Sequence, residues 1–598
     1  MSSCFRIQYA SAESSILKCN REKLDLKMSE EEDQLAEATP LLQQEKHRLE
    51  NLDLDRLLKH RLGEFGRYQR FVYLLVCLPA ALTAAITMAS VFTLLSPRHR
   101  CLVEACDSPT IPHYRDAFVL GFVNFTIPKT GADEWESCSS YTQLANATTC
   151  NPSSFSGQNA TSCSRLLYDQ DIVTSNIVSQ FGLVCSEAWK VPMAESVFFC
   201  GVLAGAIVFG QLGDLIGRKK VFLVSMVQTL GCGLVAAFAP SYTAFSVAQF
   251  LTAMAQVGVF QSAYVLGVEL VGERWREFCG VFIEFFFVLG ELILAGLAWA
   301  LRDARSLSLA YLLPSLLFLG YYFPLPKSIR WLLMNQRYEE AEQELQRVAK
   351  WNRVAPLTPD DFVTYAKESQ EEERSTSNDE NFVNLLRRPR LVLRLFVVFF
   401  AWTVTTMVYY GLSMNAAGLA GDVYLNFSLL ALTEVPGYLA SYFGMSIVGR
   451  KPTMLVSLVG AGLACLASSL VPTSLTALQT TCFLLGKLFV TSAFGTAYLY
   501  TSELFPTRVR NLCVGLSSMM GRIGAIVSPY VVALDKLTGL AWLPMAVFAA
   551  GAIFSGFSII VLPETKGRAL PRTMAEAEQL AGQQTATGQL LQVEEEEE

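Results

Sequence analysis

The chain has 598 residues, of which 52% are hydrophobic and only 17% are charged, and its formal net charge is −7. The acidic balance argues against a nucleic-acid partner. The apolar residues fall into runs of roughly 20, which is enough for a helix to cross a hydrocarbon core of ~30 Å. We therefore expect a membrane protein surrounded by the lipid bilayer, rather than a set of soluble domains.

Residues 1–70 are polar and charged, and no cleavable signal precedes the first apolar run. They are predicted to form a cytoplasmic N-terminal tail. Within this tail, Glu37 together with Leu41 and Leu42 fits an acidic dileucine sorting signal, which would bind a clathrin adaptor. Short motifs of this kind also occur by chance, and that alternative stays open.

The first span is predicted over 71–95, and a long polar segment, 96–190, follows it. Six of the 15 cysteines and three N-glycosylation sequons lie in this segment, which indicates an oxidising extracellular loop with disulfides. Six cysteines allow 15 pairings, and the sequence does not choose among them. The cysteines are Cys101, Cys106, Cys138, Cys150, Cys163 and Cys185, and the sequon asparagines are Asn124, Asn146 and Asn159.

The apolar runs form two halves, with a polar cytoplasmic linker between them and an acidic cytoplasmic tail after them. The N-terminal half covers 71–325, the linker 326–390, the C-terminal half 391–562 and the tail, which ends in five glutamates, 563–598. After the first span, the others are predicted at 192–211, 221–239, 243–266, 278–301, 306–325, 391–412, 426–446, 453–471, 478–500, 512–534 and 540–562. In the linker, charges interleaved with apolar residues predict an amphipathic helix over 337–351, and 368–380 is predicted to be a flexible connection.

Signals in the first half recur in the second half at nearly constant spacing. Gly217-Arg218-Lys219 is repeated as Gly449-Arg450-Lys451, 232 residues later. Glu269-Leu270 is repeated as Glu503-Leu504, 234 residues later. A duplicated unit of about six helices is typical of facilitator-type transporters. The predicted fold class is therefore an all-α membrane protein with about twelve transmembrane helices in two six-helix halves.

Short basic loops between the spans indicate the cytoplasmic face. About twelve spans with both termini cytoplasmic put these loops inside and the sequons outside. Acidic residues near the loops are predicted to form ion pairs that make and break as the two halves rock around a central site. The predicted gating residues are Asp214, Arg218, Glu269, Arg274, Glu434, Arg450, Glu503 and Arg508.

Several segments together resemble the solute carrier family 22 of organic ion transporters, within the major facilitator superfamily. They are the Cys-rich loop after the first span, Ser328–Leu332 after the sixth, Tyr409–Ser413 in the seventh, Ser502–Thr507 after the tenth and Pro563–Gly567 after the twelfth. The likeness runs from about Leu62 to Arg568. One departure is Lys327, because the family usually has glutamate at this position, so a gating role is not carried over from that glutamate.

Five ionisable residues are singled out within the predicted spans: Glu284, Glu291, Glu434, Lys487 and Arg522. A charge at the bilayer centre costs ~2.5–3.5 kcal/mol on insertion scales, so each should face a cavity or a partner. Glu284 and Glu291 are seven positions apart, which is two helical turns, so they share one face. Two like charges on one face repel unless a cation lies between them or one is protonated.

These two glutamates are predicted to meet the positive charge of an organic amine, beside an aromatic wall of Trp402, Tyr409 and Tyr410 in the seventh span. The family resemblance implies the same, since positions matching Glu284, Trp402 and Tyr409 line the pocket in cation carriers. Alternatives stay open. Glu284 would pair with a cytoplasmic-side arginine, Glu291 would bond a neighbouring hydroxyl, and the tyrosines would simply fill the core.

Arg522 stands where cation-selective members of the resembled family have an acidic residue, and where members for organic anions and carnitine-like zwitterions have arginine. It is predicted to hold a substrate carboxylate, and its alternative role is a structural pair with Glu434. Lys487 is a further candidate for substrate binding, with a structural or gating role as the alternative. A zwitterion or an amine is favoured over a simple anion.

The predicted function is plasma-membrane transport of small organic cations or zwitterions by alternating access. The alternatives are an organic-anion exchanger that uses Arg522, a non-transporting membrane sensor and, more distantly, a sugar facilitator. The sequence contains no phosphate-cradling Gly-rich loop and no nucleophile–base or metal constellation, so ATP drive, an enzyme and a cofactor are not expected. Whether transport is coupled to an ion stays open. The four histidines lie outside the spans, but an intramembrane glutamate can carry protons.

Overall fold

The structure is a computed structural model that describes residues 52–108, 113–130, 135–144, 149–365, 382–419, 421–472, 475–568, 570–571 and 573–580. Several predictions lie outside these residues. They are the dileucine signal at Glu37, Leu41 and Leu42, the sequon at Asn146, the flexible connection over 368–380 and the run of glutamates at the end of the tail.

The apolar runs form helices, numbered here α1 to α12 in chain order. The first six are α1 (Arg67–Met88), α2 (Lys190–Ile216), α3 (Arg218–Ala237), α4 (Tyr242–Leu270), α5 (Glu273–Leu301) and α6 (Ala304–Leu312). The other six are α7 (Pro389–Met414), α8 (Val423–Ile447), α9 (Arg450–Leu470), α10 (Thr476–Leu504), α11 (Thr507–Val532) and α12 (Leu543–Ser558). Among the described residues, ten helices are long and apolar enough to cross a membrane.

The two remaining predicted spans are α6 and α8. Helix α8 has 25 residues and carries the buried Glu434. The span predicted over 306–325 is interrupted: α6 is followed by a short helix, Ser315–Leu319, and a 3₁₀ turn, Gly320–Tyr322. Pro314 lies at the break and accounts for it, because its nitrogen has no hydrogen to donate and its ring crowds the preceding helical turn.

The two halves share a close helix contact at equivalent positions. A Cβ on Gly290 of α5 would lie 2.1 Å from the carbonyl oxygen of Ala81 in α1. A Cβ on Gly524 of α11, 234 positions later, would lie 2.0 Å from the carbonyl oxygen of Thr403 in α7. Only glycine lets these backbones approach so closely. The duplication read from the loops therefore extends to the packing of the helices.

The polar segment after α1 contains four short strands in two antiparallel pairs. β1 (His99–Cys101) pairs with β4 (Leu166–Tyr168), and β2 (Ser139–Gln143) pairs with β3 (Phe155–Ser162). The six cysteines of the segment form three disulfides, Cys101–Cys163, Cys106–Cys150 and Cys138–Cys185. Asn124 and Asn159, the two sequon asparagines that the structure describes, are exposed.

A buried ion pair adds to the disulfides in this segment. Arg100 and Asp107 are joined by two parallel hydrogen bonds, with Nη1–Oδ2 at 2.8 Å and Nη2–Oδ1 at 2.5 Å. The Arg100 side chain also donates to the carbonyl oxygens of Tyr114 and His113. The guanidinium therefore has several acceptors, which a buried charge requires.

The chain divides into two compact units, and the twelve helices lie mainly in the larger one. The smaller unit joins the chain before Val72, the short stretch Glu269–Trp275 and the chain from Pro326 to Ser375. Its main helix is Tyr338–Asn352, which corresponds to the amphipathic helix predicted over 337–351. The helix buries Ala341, Leu345 and Val348 on one face.

Asn352 ties the end of this helix to the start of α1. Its Nδ2 atom donates to the carbonyl oxygen of Leu62 at 2.8 Å and to Gln69 Oε1 at 2.9 Å, and its Oδ1 accepts from the Tyr68 backbone at 2.9 Å. A Cβ on Gly66 would lie 2.5 Å from Asn352 Nδ2, so the Asn352 side chain packs directly against Gly66.

Replacing Asn352 with alanine should destabilise the smaller unit by ~1–3 kcal/mol, because buried polar groups lose their partners. The exposed Asn335 donates a single bond, to the carbonyl oxygen of Trp331, so Asn335→Ala should cost under ~0.5 kcal/mol. Limited proteolysis of the linker in the purified protein measures both effects. Equal cleavage rates in the two variants would contradict the assigned role of Asn352.

Candidate functional site

The predicted intramembrane charges converge where α5 meets α8. The two helices pack through Val288 on one side and Ala431 and Tyr438 on the other. Glu291 lies one turn after Val288, and Glu434 lies between the two α8 contacts, so both glutamates are carried on the packed faces. Both are buried, with 2% and 0% of their surface exposed.

Lys487 of α10 is the cation of this cluster. Its Nζ atom lies 2.7 Å from Glu434 Oε1 and donates to Ser413 Oγ at 2.7 Å. The ammonium also lies over the Tyr409 ring, 3.3 Å from its centroid. The Tyr409 hydroxyl donates to the same Glu434 oxygen at 2.8 Å. Lys487 and Glu434 are therefore a buried ion pair within the C-terminal half, joined to α7 by Tyr409.

This pair corrects one alternative for Arg522. The sequence left open a structural pair between Arg522 and Glu434, but the cation bonded to Glu434 is Lys487. Arg522 Nη1 instead donates to Ser518 one turn earlier, to its carbonyl oxygen at 2.9 Å and to its Oγ at 2.6 Å. Its Nε is buried and has no hydrogen-bond partner among the described residues. The guanidinium thus keeps a donor that a ligand can use.

The two glutamates of α5 have different surroundings. Glu284 accepts a hydrogen bond from the Tyr438 hydroxyl, which lies 3.4 Å from its Oε2. Glu291 Oε1 has no hydrogen-bond partner among the described residues, and the same is true of Glu434 Oε2. The charged groups that act on Glu291 are Glu434, Lys487 and Glu284. Three carboxylates and one ammonium therefore interact here, and the Arg522 guanidinium acts on the neighbouring Tyr410 together with Glu284 and Glu291.

The sequence predicts that Trp402, Tyr409 and Tyr410 share roughly one side of α7, and of these Trp402 and Tyr409 share a face. Both contact Phe494 of α10, with ring centroids 6.2 Å and 5.5 Å away. Trp402 is buried, and its Nε1 donates to Thr501 Oγ1 at 3.0 Å. Tyr410 turns instead to Phe199 of α2, at 4.8 Å, and so contacts the N-terminal half.

Sequence reasoning missed several residues here. Phe494 and Tyr438 are aromatic residues within apolar runs, where their spacing does not distinguish them from core residues. Glu195 of α2 is different, because a carboxylate in a predicted span was a visible signal. It is half-buried with Ser90 and Lys536 as its polar neighbours, and it lines a small cavity with Phe198.

Two of the four gating residues predicted in the C-terminal half, Arg450 and Glu503, are paired in a network of ion pairs and hydrogen bonds, whereas Glu434 is paired with Lys487 instead. Arg450 Nη2 lies 2.9 Å from Glu503 Oε1, and Arg450 Nε donates to Glu503 Oε2 at 3.0 Å. Thr565 Oγ1 donates to the same carboxylate at 2.5 Å. Glu564 accepts from the backbone nitrogens of Arg450 and Lys451, each at 3.0 Å, and thereby caps the positive end of α9.

The corresponding residues of the N-terminal half are arranged differently. Asp214 pairs with Arg218 one turn later, at 2.8 Å. In the smaller unit, Glu269 accepts a hydrogen bond from Ser328. Arg274 and Arg508, which were predicted to act in the gates, are exposed.

Pro326-Lys327-Ser328 recurs as Pro563-Glu564-Thr565, 237 residues later, so Lys327 stands at the position that matches Glu564 in the repeat. Lys327 pairs with Glu340 of the linker helix. The Lys327 hydrogen bond holds the pKa of the Glu340 carboxyl below its ordinary value. A cation at this position attracts the acidic linker helix, whereas the glutamate of the second half attracts a helix N-terminus. The matching positions of the two repeats therefore carry opposite charges, and each binds a partner of the other sign.

At the end that carries the Cys-rich loop, the two halves are in direct contact. Ser196 Oγ of α2 donates to the carbonyl oxygen of Ile526 in α11 at 2.7 Å. Phe92 stacks on Tyr424, 5.6 Å away, and meets Phe427 edge to face. These contacts are uncharged, and the charged neighbours Glu195 and Lys536, one from each half, lie near the same end.

Replacing Lys487 with methionine should lower stability by ~3–5 kcal/mol, because Glu434 would stay buried without its counter-ion. The double variant Lys487→Met/Glu434→Leu should recover most of that loss, since both charges are then gone. Thermal unfolding of the detergent-purified protein measures the coupling. Lys220→Met is the matched control, because Lys220 is exposed. Additive effects of the two substitutions would contradict the pairing.

The family model described as "Sugar (and other) transporter" matches residues 139–575. The "Organic cation transporter protein" of Drosophila melanogaster is 35% identical over 536 residues, covering 88% of this chain and 94% of that protein. "Solute carrier family 22 member 3" of Mus musculus is 34% identical over 544 residues, 88% of this chain and 95% of its own length. Human "Organic cation/carnitine transporter 2" is 32% identical over 526 residues, 86% and 92% of the two chains.

Among solved structures, the chain is similar to the xylose transporter XylE from E. coli in a partially occluded inward-open conformation. The TM-score is 0.55 at 14% identity, over 84% of this chain and all of that one. This likeness shows the fold, which is that of the major facilitator superfamily. On the strength of the sequence relatives, the chain belongs to the transporters of solute carrier family 22.

Proposed function

We propose that this transporter carries small organic cations or zwitterions, carnitine-like or biogenic-amine-like, through the plasma membrane. The observation that carries the proposal is the excess of carboxylates over ammonium groups in this cluster, where Glu291 and Glu434 are buried and Glu284 is half-buried. Glu284, Glu291 and Glu434 face the single Lys487, and two of the carboxylate oxygens have no donor among the described residues. A cationic guest supplies the missing positive charge, which offsets the cost of burying an unpaired carboxylate.

The aromatic residues support a cation in particular. Tyr409 of α7 donates to Glu434 and contacts Tyr410, which reaches Phe199 of the other half. Trp402, two turns earlier on α7, shares with Tyr409 the contact to Phe494. Ring faces attract alkylated ammonium groups by ~0.5–2 kcal/mol per contact. Lys487 already uses the Tyr409 face in this way, so the substrate's ammonium would use the remaining rings and the α5 glutamates.

Arg522 would allow the site to bind zwitterions as well as cations. Its Nη1 is bonded to Ser518, and its buried Nε is available as a donor. A carboxylate or other acidic group at the far end of an amine substrate would fit this guanidinium. The names of the relatives agree with this range, since one is described as an organic cation transporter protein and another as an organic cation/carnitine transporter.

Transport would proceed by alternating access of the two halves around this cluster. The closed contacts at Ser196 and Phe92 would lie on the extracellular side, together with the glycosylated loop, and both termini would be cytoplasmic. The pair of Arg450 with Glu503 would belong to the cytoplasmic gate, as would Asp214 with Arg218. Glu37, Leu41 and Leu42 would recruit a clathrin adaptor from the N-terminal tail.

Uptake of labelled carnitine, a labelled monoamine and a labelled dicarboxylate into oocytes tests the proposal. Glu284→Gln should raise the KM for both amines at least tenfold, which corresponds to a loss of ~1.4 kcal/mol in binding. Arg522→Ala should impair carnitine more than the monoamine, because only carnitine has a carboxylate. Glu277→Gln is the matched control, since Glu277 is an exposed glutamate of the same helix.

Other outcomes would point to the other candidate functions. Dicarboxylate uptake that is lost only in Arg522→Ala would identify an organic-anion exchanger. No uptake of any compound, with normal delivery to the cell surface, would identify a sensor.

A further inference from the structure

Glu195 is a carboxylate of α2 that lies outside the central cluster. It is in the second turn of the helix, near the end that follows the Cys-rich loop. The side chain is half-buried, and its polar neighbours are Ser90 and Lys536. A partly desolvated carboxylate needs a donor or a positive charge, so the groups around Glu195 decide what it can bind.

The helix geometry of α2 places Glu195 directly outward of the central cluster. Phe199 lies four positions later, so the two side chains share one face of the helix and are one turn, or ~5.4 Å, apart. The Phe199 ring contacts Tyr410 of α7, with the centroids 4.8 Å apart. Tyr410 contacts Tyr409 at 5.2 Å, and the Tyr409 hydroxyl donates to Glu434. A line of rings therefore connects Glu195 with the central cluster.

The cation beside Glu195 comes from the other half. Ser196, the next residue of α2, donates to the carbonyl oxygen of Ile526 in α11, and Lys536 lies in the short helix that follows α11, Leu534–Thr538. Opposite charges on the two halves thus meet at this end. When the outer side opens in an alternating-access cycle, α2 and α11 separate, and Glu195 loses this cation.

The other described neighbours of Glu195 do not replace the charge of Lys536. Phe198 and Gln249, which line a small cavity with Glu195, are uncharged. Lys536 also acts on His99 of the Cys-rich loop. Burial lowers the pKa of the His99 imidazole and Lys536 lowers it further, so this ring is neutral near pH 7. Among the described residues that act on Glu195, Lys536 is the one cation.

We propose that Glu195 is an outer subsite for the positive charge of the substrate, which takes the place of Lys536 when the extracellular side is open. The inference rests on the proposed function, because the ligand is the same cation that the central cluster would bind. From Glu195 the cation passes Phe199 and Tyr410, whose ring faces attract alkylated ammonium groups. The subsite favours a net cation over a zwitterion, since Glu195 repels a substrate carboxylate.

Initial-rate uptake of labelled tetraethylammonium into oocytes that express the full chain tests the subsite. The probe carries a permanent positive charge, and the labelled monoamine replaces it if the transporter does not accept its bulk. Glu195→Gln should raise the KM about three- to fivefold, as expected for a charge pair near water, without lowering the maximal rate per transporter at the surface. Glu195→Asp should stay near the wild type. Glu104→Gln is the matched control, since Glu104 is an exposed carboxylate of the Cys-rich loop.

Lys536→Met supplies a readout that a merely structural role of Glu195 would not change. Removal of the competing cation should lower the KM about twofold, and the same substitution should have no effect in the Glu195→Gln background. Glu195→Gln should also change the KM for labelled carnitine less than that for tetraethylammonium, because carnitine carries a carboxylate.

Two results would overturn the proposal. One is an unchanged KM for tetraethylammonium in Glu195→Gln, and the other is an effect of Lys536→Met that persists without the carboxylate. Lys536 is exposed, so its variant should fold even if Glu195→Gln does not reach the surface. An unchanged KM in Lys536→Met alone would then reject the subsite.

A failure of the proposed function would look different. If the wild type takes up neither tetraethylammonium nor the monoamine, no net cation is a substrate, and the subsite is rejected with that function. Cation uptake that is impaired by Glu284→Gln but has the same KM in Glu195→Gln rejects the outer subsite alone.

Discussion

The buried ion pair of Lys487 and Glu434 is the interaction on which the candidate site depends. Either charge alone would be costly in the membrane interior, and each is made tolerable by the other and by Tyr409. The pair joins α7, α8 and α10, all from the C-terminal half. Glu284 and Glu291 come from the N-terminal half, so a ligand that meets both sets of charges bridges the two halves.

In the proposed function, this division of charges would link substrate binding to movement of the two halves. The C-terminal half presents a cation, Lys487, that is already neutralised, and a guanidinium, Arg522, with a spare donor. The N-terminal half presents carboxylates whose partner has to come from elsewhere. A guest is therefore most stable when the halves are close together around it, which is the occluded stage of an alternating-access cycle.

The fold was largely predictable from the sequence because its signals are local. Runs of apolar residues, the repeated Gly-Arg-Lys loops and the cluster of cysteines indicate spans, duplication and a loop with disulfides. Pro314 was a visible signal for a helix break, but a continuous span was predicted there because the residues around it are apolar. The choice among 15 cysteine pairings depends on the folded loop as a whole. The register of β2 and β3 places Cys138 near Cys163, yet each forms its disulfide with a different cysteine.

The candidate site was only partly predictable. Charges in the spans were visible as single residues, but their pairing depends on how α5, α8 and α10 rotate against one another. The partner of Glu434 therefore turned out to be Lys487 and not Arg522. The sequence does not show whether an aromatic residue such as Phe494 lines a pocket or packs in the core.

The hydroxyl–carbonyl bond between Ser196 and Ile526 has a consequence for the physiology of the molecule. Neither group ionises, and the neighbouring contact of Phe92 with Tyr424 is between rings. Dissolved salt screens ion pairs but leaves contacts of this kind almost untouched. These two contacts should therefore depend little on the ionic strength of the surrounding solution.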